Sequence, residues 1–171
     1  NVSMPPSVTP TLIVRQEANN AKEHPFVSVY EAYKGNNPQI RQITAMPIGG
    51  NCVGVKVVAE NKREDYVFSA TDSQVYSSVS RTSFSGAFGL ISESGGKIQS
   101  MYLGKIRLLQ KGNYSLEAAQ NVYATIYRVD GNWFYSATGP MKIKIGKTEK
   151  ILDEGYNKLL NIKSVSYTHL R

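Results

Sequence analysis

The sequence predicts an all-β protein, an antiparallel β-sandwich of roughly ten to twelve short strands. Three observations predict it. Apolar and polar residues alternate over short runs such as Met141–Ile145, where Met141, Ile143 and Ile145 point in and Lys142 and Lys144 point out. Turn signals recur at short spacing, among them Gly49-Gly50-Asn51, Gly95-Gly96, Gly112-Asn113 and Asp130-Gly131. No amphipathic helical pattern runs longer than two turns, and no repeat occurs at a fixed period.

The elements follow in order. Residues 1–10, with Pro5, Pro6 and Pro10, read as a linker or the end of a preceding domain, and residues 11–164 as the sandwich. Thr11–Gln16 is a short strand. Phe26–Tyr33 is a strong strand, apolar at the start of both faces and ended by Gly35-Asn36-Asn37-Pro38, so cover on both sides is expected. Strands are expected over Gln39–Met46, over Cys52–Ala59 with Val53, Val55 and Val57 on the face opposite Lys56, and over Asp65–Ala70. Thr71–Val79 fits no pattern cleanly. In Thr82–Ser92, Phe84, Gly86, Phe88 and Leu90 share a face. Lys97–Leu103, Lys105–Leu109, Asn121–Val129 and Trp133–Thr138 follow, and Ile151–Ile162 suits either a helical turn or a last strand.

Composition bounds the function. The 171 residues suit one domain, and 41% hydrophobic residues suffice for an ordinary core. The 11 tyrosines are many for this length, and a Tyr-rich, Ser/Thr-rich strand protein fits an extracellular or carbohydrate-facing setting. The net charge of +7 permits an acidic partner, although charge alone argues solubility as readily. No Lys/Arg block of nucleic-acid type occurs, and no apolar run approaches the ~18 residues of a membrane span. The single cysteine, Cys52, excludes an internal disulfide and a Cys-based zinc site and reads as a small packed side chain.

The catalytic inventory is thin. His24 has no second histidine at metal-ligand spacing and no nucleophile elbow, and reads as a loop residue before Pro25. Asp65 and Asp72 flank a strand and suit turn chemistry as well as acid–base or calcium work. No cofactor and no metal is expected. Asn1-Val2-Ser3 and Asn113-Tyr114-Ser115 match the glycosylation acceptor pattern, which bears only on a eukaryotic secretory setting. Two basic sets stand out, Lys105, Arg107 and Lys111 in one, and Lys142, Lys144, Lys147 and Lys150 in the other. Lys105 and Arg107 are two apart and expected on one face, as are Lys142 and Lys144. These four are the candidate substrate-binding residues, since basic groups beside aromatic platforms hold anionic sugars. The alternative is a solvated outer face whose lysines keep sheet edges from pairing. A planar strip of exposed Trp133, Tyr135 or Tyr127 would mark a non-catalytic carbohydrate-binding module instead, and its absence with an exposed edge strand a cell-surface sandwich.

The order of LIVRQ (Leu12–Gln16), HPFVSVYEAYKG (His24–Gly35), VGVKVVAENKREDYVFSATD (Val53–Asp72), FSGAFGLIS (Phe84–Ser92) and MYLGKIRLLQKGNYSLEA (Met101–Ala118) resembles the C-terminal β-sandwich region of heparinase II/III-like polysaccharide lyases. The resemblance implies an α/α-barrel domain upstream, an acidic polysaccharide as partner, and a periplasmic or extracellular location. It implies β-elimination at a uronic acid, with a carboxylate-neutralising group stabilising the enolate and a Tyr or His pair as base and acid. Those residues belong mostly upstream, so no catalytic residue is assigned here. The chain starts without Met and reads as part of a longer protein. Residues 165–171, ending Ser166-Tyr167-Thr168-His169-Leu170-Arg171, read as translated sequencing-adaptor sequence and carry no site.

Overall fold

The computed structural model describes residues 27–31, 38–78 and 81–159, with the side chain of Ile106 left aside. Eleven strands and no helix make up these residues: β1 (Ile40–Met46), β2 (Cys52–Ala59), β3 (Arg63–Ala70), β4 (Tyr76–Ser78), β5 (Thr82–Ser94), β6 (Lys97–Lys111), β7 (Tyr114–Val129), β8 (Asn132–Ala137), β9 (Met141–Ile145), β10 (Thr148–Leu152) and β11 (Gly155–Leu159). Every pairing is antiparallel. The expected break at Gly104 is absent, and the two strands predicted there are one, β6. The ambiguous stretch after Thr71 holds β4, and the described part of the stretch expected as a helical turn or last strand, up to Leu159, holds the end of β10 and all of β11. Asp130 and Gly131 both take positive φ, as do Gly95 and Gly96, which is the backbone that tight two-residue hairpins demand.

The ladder is continuous in the order β1-β2-β3-β5-β6-β7-β8-β11, with β4 joined to β5 and the β9–β10 hairpin joined to β7. The long strands β5, β6 and β7 serve two layers. Their register slips at one level: between Ser85 and Gly86 on β5, on both sides of Ile106 on β6, and over residues 118–121 of β7, which the β6 ladder skips. Gly86 and Lys105 take positive φ at that line. Beyond it the early half of β7 pairs with β9 and the late half with β8. The bulges bend all three strands and fold the sheet over itself.

Side-chain contacts confirm the fold-back. Tyr114 opens β7, and Trp133 on β8 is in register with Arg128 near the far end of β7. A straight strand would hold Tyr114 and Arg128 about 45 Å apart. Yet the rings of Tyr114 and Trp133 lie 6.1 Å apart, and Phe84 stacks on Phe68 at 5.5 Å. One core fills the space between the layers, with Phe68, Phe84, Ile91, Met101, Leu103, Leu109, Leu116, Ile126 and Ile143 fully buried. The predicted β-sandwich is therefore the observed architecture.

Two expectations are corrected and one holds. The bulge after Ser85 reverses the alternation in β5, so Phe84 is buried while Phe88 is exposed on the opposite side. As expected, Val53, Val55 and Val57 share one side of β2 and Lys56 takes the other, the side of Tyr66. The segment expected as a doubly covered strand is neither strand nor covered over residues 27–31: Val27, Val29 and Tyr30 are exposed. Val27 and Val29 instead line an apolar groove of about 450 Å³ with Ile43, Ala45, Val53 and Val55 of β1 and β2. Glu31 anchors the segment by accepting the backbone N–H groups of Gln39 and Ile40. The strand expected over Thr11–Gln16, together with His24 and residues 165–171, lies outside the described residues.

Candidate functional site

The two basic sets meet the fold at different places. Lys142 and Lys144 occupy the outer side of β9, with Ile143 buried between them, as the alternation requires. Both reach Glu149 on the neighbouring β10, at 3.1 Å and 3.6 Å. These two ammonium groups hold the Glu149 carboxyl below the usual range, Lys142 through the larger effect. Two cations share one anion here, which leaves one net positive charge on an exposed ridge.

Lys105 and Arg107 are exposed at the bend of β6. The register slips on both sides of Ile106, so the alternation that would align their side chains is interrupted. In register, Lys142 faces Glu117, and Glu117 faces Leu108 beside Arg107. The two sets therefore approach to two strand spacings at the backbone, about 10 Å, with Glu117 between them.

Lys111 departs from the expected solvated set. Its ammonium sits 3.1 Å from the Tyr66 ring centroid and 3.6 Å from Glu93, with Lys111 and Glu93 side chains 14% and 12% exposed. Lys56 joins them through Glu64 at 2.9 Å, and the Tyr66 hydroxyl donates to Glu64 at 2.6 Å. Burial drives the Lys111 pKa down, partly offset by Glu93. Burial and the Glu64 hydrogen bond drive the Tyr66 pKa up. This clasp joins the two layers at the end away from the bend.

Other candidates resolve into structure. Asp72 accepts from the Tyr76 hydroxyl and Asn51 Nδ2 and is committed to a turn. Asp65 accepts from Arg63 and from Ser92 Oγ at 2.6 Å. Cys52 is buried, and burial with the nearby Asp72 charge pushes its thiol pKa up to about 11. Among the described residues no group of His, Cys, Asp and Glu is arranged to hold a metal ion.

The residues whose exposure would have marked a carbohydrate-binding module, Tyr127, Trp133 and Tyr135, lie on different sides. Trp133 is buried in the core and Tyr135 packs against it, because both lie on the inner side of β8. Tyr127 lies on the outer side, stacked on Phe134 at 5.6 Å and joined to Tyr156 through a 2.9 Å hydroxyl contact. On the same outer side the rings of Phe88 and Tyr102 meet edge to face at 5.9 Å, and Tyr123 stands opposite Gly104. Alternation already separated Tyr123, Thr125 and Tyr127 from buried Val122, Ala124 and Ile126. Adding Tyr102 and Phe88 needed the β5–β6–β7 register, which the bulges conceal.

No curated protein and no solved structure matches the chain. A family model does match, over residues 40–128, more than half of the chain and running from the start of β1 almost to the end of β7. That model describes the C-terminal domain of endo-acting ulvan lyases, and the bent, bulged β5–β6–β7 unit with its outer aromatic side lies within the match: the chain belongs to the endo-acting ulvan lyase C-terminal domain family.

Proposed function

We propose that this chain is the C-terminal β-sandwich of a polysaccharide lyase that degrades an acidic, uronic-acid-containing polysaccharide of the ulvan kind by β-elimination. Family membership over β1 to β7 carries the reading. The positive net charge agrees with a polyanionic substrate, because it raises the local concentration of such a chain near the protein. On this reading the base, the acid and the carboxylate-neutralising group sit on a preceding catalytic domain. On the same reading that domain is an α/α-barrel and the enzyme acts in the periplasm or outside the cell. Lys105 and Arg107, both exposed, are the anion contacts of this domain on this reading, and Lys142 and Lys144 a weaker pair held by Glu149.

Salt elution from immobilised ulvan and heparin tests this. The chain should be retained at low ionic strength and released by moderate salt. Lys105→Ala/Arg107→Ala should elute earlier. Lys142→Ala/Lys144→Ala should shift less, and Glu149→Gln, which frees both lysines, should elute later. Passage through both columns without delay at low salt would overturn the reading.

A further inference from the structure

Three rows of residues cross the outer side of the larger layer. Phe88, Gly104 and Tyr123 form one, and Leu90, Tyr102, Thr125, Ser136 and Tyr156 the next. Ser100, Tyr127, Phe134 and Lys158 lie in the third. Phe88 is 39% exposed, Tyr102 36%, Tyr123 45% and Tyr156 66%. Gly104 leaves bare backbone between these rings. A Cβ there would sit in ordinary contact with the Tyr102 ring at 3.4 Å and Phe88 at 3.5 Å, so both side chains border the Gly104 backbone. Ser69 and Ser136 are exposed among the rings, and exposed Lys105 follows Gly104 in the chain.

We propose that the outer face of β5, β6 and β7 is a sugar-stacking site, with Phe88, Tyr102 and Tyr123 as its apolar floor and Lys105 as its anion contact. This rests on the polysaccharide reading above and adds a mode of binding that charge does not supply. A pyranose ring has an apolar C–H face that lies flat on the electron-rich face of an aromatic ring. Its hydroxyls need partners around that floor, which Tyr102, Tyr123, Thr125 and the serines provide. Phe88 and Tyr123 stand two strand spacings apart, about 10 Å, enough for more than one sugar ring. Docking of a protein domain is the other use of an exposed apolar face. Serines interleave with the rings here, and lysines border them, whereas the core of a protein interface is depleted in both. That composition suits a hydrated anionic glycan.

Calorimetric titration of the 171-residue chain with size-fractionated ulvan oligosaccharides, at low salt and again at high salt, tests the site. Stacking survives screening, so measurable binding should persist at high salt. Tyr102→Ala and Tyr123→Ala should each weaken it about three- to tenfold, and Tyr123→Phe, which keeps the ring and loses only the hydroxyl, should weaken it less than Tyr123→Ala. Thermal melting accompanies each variant, and exposed Tyr123 is the one whose replacement leaves the core intact. If folded Tyr123→Ala and Tyr102→Ala bind as tightly as the unaltered chain, the stacking site is overturned while the polysaccharide reading stands. If the unaltered chain binds no oligosaccharide at either salt, both fall.

Discussion

The ammonium of Lys111 rests 3.1 Å from the centre of the Tyr66 ring, although Lys111 ends β6 and Tyr66 is in register with Ile91, near the other end of the β5–β6 hairpin. Glu93, which Lys111 also meets, is in register with Ile98 at the start of β6. Thirteen residues of straight strand separate Ile98 from Lys111, about 43 Å. Only a strand bent back at Gly104–Ile106 closes that distance. The clasp therefore records the folding-over of the sheet in one contact.

Replacing Lys111 by Met keeps most of the stem and removes the charge. It leaves Glu93 mostly buried without its cation. The expected loss is about 2–4 kcal/mol, toward the lower side of a fully buried pair, read by urea unfolding. Glu93→Gln/Lys111→Met should recover part of it, since the orphaned charge is then gone.

Acid stability should depend on Glu64. Its folded pKa lies below the ordinary 4.5, first through the Tyr66 hydroxyl and then through Lys56. A depressed carboxyl stabilises the fold fully above its unfolded value and loses that contribution as pH falls through the folded value. Unfolding free energy should accordingly fall below about pH 4.5, and less steeply in Glu64→Gln. Tyr66→Phe keeps the ring under Lys111 but removes the donor to Glu64, and should flatten the same limb. Denaturant titrations at a series of pH values between neutral and strongly acid measure both.

Gly89 is a tight spot in the core. An added Cβ would come within 2.8 Å of the Phe84 ring and 3.2 Å of Leu109, both from the other layer. Gly89→Ala should cost about 1–3 kcal/mol through overpacking. Gly104→Ala, whose Cβ meets only ordinary contacts, should cost less than Gly89→Ala. Paired melting curves decide the order.

Trp133 is the only tryptophan and is 3% exposed. Its emission should be blue-shifted, poorly quenched by acrylamide, and unchanged when polysaccharide binds. Quenching of Trp133 by bound sugar at unchanged stability would move the contact to another face.

Much of the fold was legible in the sequence. Cys52–Ala59 and the Met141–Ile145 alternation match β2 and β9, because regular strands show their period directly. The bulges were not legible. They cost one residue of phase at Ser85 and again around Ile106, and so hid both the merging of β6 and the reversal from Phe84 to Phe88. The candidate site was legible in part. Lys142 and Lys144 lie outward as expected, but Glu149 binds both, a pairing set by the β9–β10 register. Lys111 looked like a surface lysine because no local signal announces that the far end of the sheet covers it. Trp133 and Tyr127 were grouped by chemistry, yet the register with β8 sends them to opposite sides.

Nitrogen-15 NMR of the labelled chain, titrated with ulvan oligosaccharides, tests the account most directly. The account predicts saturable shifts of the backbone amides of Phe88, Tyr102, Gly104, Lys105 and Tyr123, with Trp133 and the β9–β10 hairpin little changed. Shifts confined to β9 and β10, or none at saturating oligosaccharide, would contradict it.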